Sequence, residues 1–81
     1  MEEKIAIIGV FVRNYDSASK VNEILHTHGK QIIARMGVPN NDEELNIISV
    51  IVRATADEIS ALSGSLGRLE GVTVKTMQTP V

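Results

Sequence analysis

The chain has 81 residues with eight basic and ten acidic side chains, which gives a formal charge of −2 at neutral pH. It contains no cysteine, which excludes disulfides, thiolate metal sites, iron–sulfur ligation and cysteine nucleophiles. The basic residues are scattered and form no block that would attract phosphates, so direct binding of nucleic acid is not expected.

The length predicts a single domain, residues 1–81. A chain of this size buries only roughly 60% of the surface that its unfolded form exposes. Hydrophobic residues make up 43% of it, with one Phe, one Tyr and no Trp, so we expect an aliphatic core that a partner subunit would extend. No apolar run approaches the ~20 residues that cross a bilayer, and Met1 leads directly into the charged Glu2. We therefore expect a cytoplasmic protein without membrane association.

The first half of the chain predicts a strand, a helix and a second strand. The first strand, 5–12, is a run of apolar and mostly β-branched residues. Turn and cap residues at 14–17 open a helix, which Gly29 is expected to end. A strand over 31–38 and a turn at 39–42 follow.

The second half predicts the same elements in the same order. A second long apolar strand covers 45–52, and residues 55–57 open a second helix. Gly71 is expected to close this helix. The last strand, 72–77, alternates apolar and polar residues and stops before Pro80.

The two halves resemble each other at an offset of 40 residues, which places Val10 on Val50 and Arg13 on Arg53. The element order β-α-β-β-α-β is that of the ferredoxin-like α+β fold. Right-handed crossovers would place the first and third strands side by side in the middle of a four-stranded antiparallel sheet, with both helices on one face.

Two helices can cover only one face of this sheet. The more uniformly apolar face should lie under them, and it comprises Ile8, Val10, Val12, Ile48, Val50 and Val52. The other face would expose a contiguous patch, Ile7, Phe11, Ile47 and Ile51, and such patches usually mark interfaces. We expect a homo-oligomer, a dimer or a tetramer made of two dimers, joined through this face. The alternative is that loops or a terminus fold over the patch.

Arg13 and Arg53 follow the two central strands and stand just before the helices. If the two central strands are parallel neighbours, both arginines lie at the same edge of the sheet. They would then form an anion pocket beside the N–H groups of the helix starts. Asn14 and Asp16 would frame this pocket. The alternative is that the arginines form ion pairs with acidic residues at a subunit interface.

His26 and His28 are the only histidines, and a His-x-His spacing is found in some metal sites. Near a helix end these positions lie on different sides and do not converge. We expect His28 to interact with the helix dipole and His26 to be solvated. No metal site, cofactor or catalytic residue is predicted, and no phosphate-binding or dinucleotide motif occurs.

The stretches 8–14, 25–29 and 33–39, with shorter matches near the end, resemble a small family of proposed regulators of the iron-only hydrogenase system. The resemblance covers nearly the whole chain. It implies an ACT-like domain of ferredoxin fold with a regulatory role and a protein partner from the hydrogenase system.

The chain is also similar to the sensory domain of nickel-responsive repressors, which is ACT-like and tetrameric. The nickel ligands of those proteins are missing here, since 34–37 holds no His-x-His and no Cys precedes Leu45. Their DNA-binding arm is missing as well. Amino-acid-sensing ACT domains bind ligands at a subunit interface beside the loop after the first strand, here 13–16, which would imply a small anionic or amino-acid-like ligand at the subunit interface.

The leading interpretation is a regulatory or sensory module and not an enzyme. One alternative is a hydrolase of the acylphosphatase type, which shares the fold. Such enzymes need a glycine-rich phosphate loop after the first strand, and residues 13–16 do not supply one. The other alternative is a purely structural assembly subunit.

Overall fold

The structure is a computed structural model that describes residues 2–40 and 45–80. It contains the strands β1 (Glu3–Val12), β2 (Ile32–Asn40), β3 (Leu45–Thr55) and β4 (Val72–Pro80), and the helices α1 (Ala18–Thr27) and α2 (Ala56–Gly67). Short 3-10 turns, Tyr15–Ser17 and Gly29–Gln31, flank α1. The predicted β-α-β-β-α-β order is confirmed. No helix within the described ranges is long and apolar enough to cross a membrane.

The four strands form one sheet in the order β2-β3-β1-β4. All three neighbouring pairs are antiparallel, and β1 and β3 lie in the middle as predicted. The ferredoxin-like fold class is therefore confirmed. The prediction that β1 and β3 are parallel neighbours is wrong. The predicted anion pocket of Arg13 and Arg53 depends on that prediction.

Several element ends differ from the predicted ones. Gly29 does not cap α1, because the helix ends at Thr27 with His28 as its C-cap residue, and Gly29 begins a 3-10 turn. The second helix ends at Gly67, before Gly71. Pro39 belongs to β2, where an edge strand tolerates its missing N–H. Residues 41 and 42 of the predicted turn lie outside the described residues.

The core lies between one face of the sheet and the two helices. Its sheet side comes from alternate residues of the central strands, so the predicted choice of covered face is correct. The fully buried aliphatic residues are Ala6, Ile8, Val10, Val12, Val21, Leu25, Val50, Val52, Ala54, Ile59, Leu62 and Leu66. Ile48 is half-buried and packs against them.

The loop after β1 packs tightly against the turn before β4. The Arg13 N–H donates to the Gly71 carbonyl at 2.7 Å, and the Ser17 hydroxyl donates to the Glu70 carbonyl at 2.6 Å. Gly71 has a φ of 73°, and a Cβ there would stand 2.5 Å from the Asn14 Cβ. Only glycine fits this position, both in conformation and in space.

The start of α2 is fixed by a capping box and linked to the end of α1. The Thr55 hydroxyl accepts from the Glu58 N–H, and Glu58 Oε1 accepts from the Thr55 N–H at 2.9 Å. Glu58 Oε2 accepts from Gln31 Nε2 at 2.6 Å, and Gln31 Oε1 lies 3.2 Å from His28 Nδ1. Hydrogen bonds from Thr55 are the main cause that lowers the pKa of Glu58, and Gln31 and His28 lower it further.

We expect Gly71→Ala to lower the free energy of unfolding by more than about 2 kcal/mol, because the left-handed conformation alone costs an L-residue ~1–2 kcal/mol. The clash with Asn14 adds to this cost. Urea unfolding at one fixed protein concentration measures the change. Gly64→Ala is the matched control, because a Cβ there meets nothing within 4 Å outside its own helix, and it should stabilise the chain. Unchanged stability of the Gly71→Ala variant would contradict the tight packing.

A second prediction concerns pH. Because the pKa of Glu58 is lower in the folded chain, the unfolded chain binds more protons in acid. This stabilisation is complete above the ordinary Glu pKa of about 4.3 and disappears as the pH falls through the lower folded value. The stability advantage of wild type over Glu58→Gln should therefore shrink between pH 6 and pH 3 in urea unfolding.

Glu23→Gln provides the control for this experiment, because it removes one negative charge from an exposed position on α1. If the stability advantage of the wild type over Glu58→Gln stays constant down to pH 3, the carboxylate of Glu58 does not stabilise the cap.

Candidate functional site

The sheet face opposite the helices, here called the open face, is the first candidate site. Strand alternation and register assign to it Ile5, Ile7, Gly9, Phe11, Ala34, Met36, Val38, Ile47, Ser49, Ile51, Arg53, Thr73, Lys75, Met77 and Thr79. Several of its large apolar side chains are exposed, from 36% for Ile51 and 43% for Ile7 to 68% for Met77, whereas Phe11 and Ile47 are half-buried. These values show that no described segment of the chain covers the open face.

The register arranges the open face in rows across the strands. One apolar row consists of Ala34, Ile51, Ile7 and Met77, and another of Val38, Ile47, Phe11 and Thr73. The row between them has two small central residues, Ser49 and Gly9. A Cβ on Gly9 would lie 3.5 Å from the Phe11 ring, so the ring lies beside this glycine. The Phe11 ring therefore takes up part of the space that a side chain at position 9 would occupy.

Sequence analysis identified only the central part of this surface. The edge strands add Met36, Val38 and Met77, which are 65%, 50% and 68% exposed. The alternation in β4 could have identified Met77. The bulge between Ile32 and Ala34 shifts the register of β2, and no sequence signal marked it.

The predicted anion pocket does not form, because its two arginines lie at opposite ends of the sheet. Ile5 pairs with Arg53, whereas Arg13 follows Val12 at the other end of β1. Eight residues along a strand separate the two ends by roughly 26 Å. Arg53 Nε instead donates to Glu3 Oε1 at 3.0 Å, and both side chains are about half exposed. This ion pair forms within one chain.

Asn14 and Asp16 remain beside Arg13, but both take part in the local structure. The Asn14 Oδ1 accepts from the Asp16 N–H at 2.9 Å and caps the 3-10 turn. The backbone of Asn14 packs against Gly71. The amide oxygen that was expected to frame a ligand is thus already used.

The two histidines do not converge with other potential ligands. His26 lies exposed in the last turn of α1, and His28 caps the helix and contacts Gln31. In the described part of the chain, no three His, Asp or Glu side chains come together as a metal site would require.

A cleft of about 280 Å³ lies on the helix side of the sheet. Its walls come from the start of α1, the loop before it and the outer halves of β2 and β3. The lining residues are Val12, Tyr15, Ala18, Asn22, Arg35, Gly37, Val38, Pro39, Asn46, Ile47 and Ile48. No sequence pattern predicted this cleft. Alternation in β2 could have placed Arg35, Gly37 and Pro39 on one face, but not beside α1.

The comparisons with known proteins agree with the fold. A family model, TM1266-like, described as "Iron-only hydrogenase system regulator, putative", matches residues 4–76. The structure of the uncharacterized protein TM1266 from Thermotoga maritima superimposes with a TM-score of 0.91, at 36% sequence identity over 95% of this chain and 98% of that one. A comparison with curated proteins finds no significant match.

The family match covers both helices, β2 and β3 completely, nearly all of β1 and the first five residues of β4. The solved relative has nearly the same length and backbone. The resemblance noted from the sequence is thus confirmed, and the chain belongs to the TM1266-like family.

Proposed function

We propose that this chain is a regulatory module of the iron-only hydrogenase system that acts as a homo-oligomer joined through the open face. The family membership supports the regulatory role. The observation that carries the self-association is the apolar open face, where Ile7 and Ile51 lie in one apolar row and Phe11 and Ile47 in the other. The receiving partner would be a cytoplasmic protein of the same system.

The size of the open face is sufficient for a dimer. The strands are 9 to 11 residues long, so four of them at about 4.8 Å spacing and roughly 3.3 Å per residue present about 570 Å². Two such faces together give about 1,100 Å², which exceeds the ~1,000 Å² expected of a specific interface.

The chemistry of the open face also supports a second copy as the occupant. Its apolar residues lie in two rows across the sheet, whereas the charged side chains Arg53 and Lys75 lie near one end of β3 and on the edge strand β4. Charges at the border of an apolar surface are the usual arrangement of an interface. Two sheets packed in this way would lie about 10 Å apart, as in a β-sandwich.

We expect the wild-type chain to sediment as a dimer or tetramer at micromolar concentration, and Ile51→Glu to sediment as a monomer. A charge at this position would be buried without a partner in the oligomer, but solvated in the monomer. Analytical ultracentrifugation measures the mass, and circular dichroism checks that the variant is folded.

Ala61→Glu is the matched control, since it adds the same charge at an exposed position on α2 and should leave the oligomer intact. A folded wild-type monomer at tens of micromolar would refute the proposal. So would an Ile51→Glu oligomer of unchanged size.

We also propose that the chain is not an enzyme of the acylphosphatase type. The loop after β1 supports this, because Asn14 and Ser17 hold it against the turn before β4 through the contacts described above. Its amides are therefore not arranged as an open phosphate loop.

Benzoyl phosphate should accordingly be hydrolysed no faster in the presence of the protein than in buffer. Arg13→Ala, which removes the arginine of this loop, should give the same rate. If the wild type hydrolyses benzoyl phosphate and Arg13→Ala does not, the chain is a hydrolase.

A further inference from the structure

The cleft between α1 and β2 has the features of a small-molecule site. Gly37 leaves space on β2, because a Cβ there would meet nothing within 4 Å. Ala18 and Pro39 bound the cleft with short side chains, while Val12 and Ile48 supply apolar walls. Its volume of about 280 Å³ equals that of roughly nine water molecules. A compact metabolite would fill a cleft of this size.

One positive charge lies in this cleft, and it is held in place. Arg35 Nη2 donates to Asn22 Oδ1 at 2.8 Å, and Asn22 Nδ2 in turn donates to the Ala18 carbonyl at 3.1 Å. The Ala18 carbonyl of α1 thus orients the side chain of Asn22, which in turn orients the guanidinium of Arg35. In the described ranges, the structure records no carboxylate within 4 Å of Arg35. The N–H groups not used by Asn22 can bind an anion.

The remaining polar groups narrow the ligand class. Asn46 and Tyr15 contribute a carboxamide and a hydroxyl, both uncharged. A single planar guanidinium suits a carboxylate, with which it forms two parallel hydrogen bonds. The walls suit an apolar or aromatic body. The geometry points to a site for a small apolar monocarboxylate between α1 and β2, with Arg35 as the anchor of the carboxylate.

This site is distinct from the open face and complete within one chain. Binding therefore does not depend on self-association, and only a regulatory role of the ligand rests on the proposed function. The two claims can consequently be tested separately.

The experiment is a titration of the ¹⁵N-labelled full chain with phenylacetate, followed by NMR. We expect a dissociation constant on the order of 1 mM, as is usual for a ligand of about ten atoms, with the largest shifts at the amides of Asn22 and Gly37. Phenylacetamide and inorganic phosphate should each bind at least tenfold more weakly, because one lacks the charge and the other the apolar body. Equal binding of either would overturn the assignment.

Two variants locate the site. Arg35→Gln should weaken phenylacetate binding at least tenfold, whereas Arg68→Gln, which removes an exposed arginine beyond α2, should not. Gly37→Val should fill the cleft and abolish binding while the melting temperature stays the same or rises, since valine suits an edge strand. Undiminished binding by Gly37→Val would overturn the proposal.

The Ile51→Glu variant separates this inference from the proposed function. It should bind phenylacetate with the wild-type affinity, because its substitution lies on the other face of the sheet. Loss of binding in this variant, with its fold intact, would show that one chain does not form the complete site.

Discussion

The constraint on which the rest of the structure depends is that two helices cover only one side of a four-stranded sheet. The core forms entirely on that side, where β1 and β3 contribute alternate buried residues from Ala6 to Val12 and from Val50 to Ala54. The same strands must then present their other residues to the opposite side. Because those residues include four isoleucines and Phe11, the alternation that builds the core also creates a large apolar surface.

The connections between the elements are held by specific contacts, and this limits where a ligand can bind. The loop after β1 is fixed by its contact with Gly71 and by the hydrogen bond of Ser17. The end of α1 is joined to the start of α2 through Gln31 and Glu58. The cleft beside Arg35 differs from both regions, because small side chains border it and a Cβ on Gly37 would meet no neighbour.

Alternation and element order were sufficient to predict the fold and the open face. The residues Ile7 and Ile51 could be assigned because a strand has a period of two and one of its faces was more uniformly apolar. The prediction of an anion pocket from Arg13 and Arg53 failed because both residues follow similar strands in the sequence, whereas these strands run in opposite directions in the sheet. Similarity along the chain does not determine direction in space. The cleft could not be predicted, since it depends on how far β2 extends beyond α1.

Val38 and Ile47 border the cleft and also belong to one apolar row of the open face. By strand alternation their side chains point to the open face, so a ligand in the cleft would meet these strands from the opposite side. A bound metabolite and a second copy of the chain would therefore contact opposite sides of the same two strands without touching each other. One layer of backbone can in this way carry two surfaces that are occupied independently.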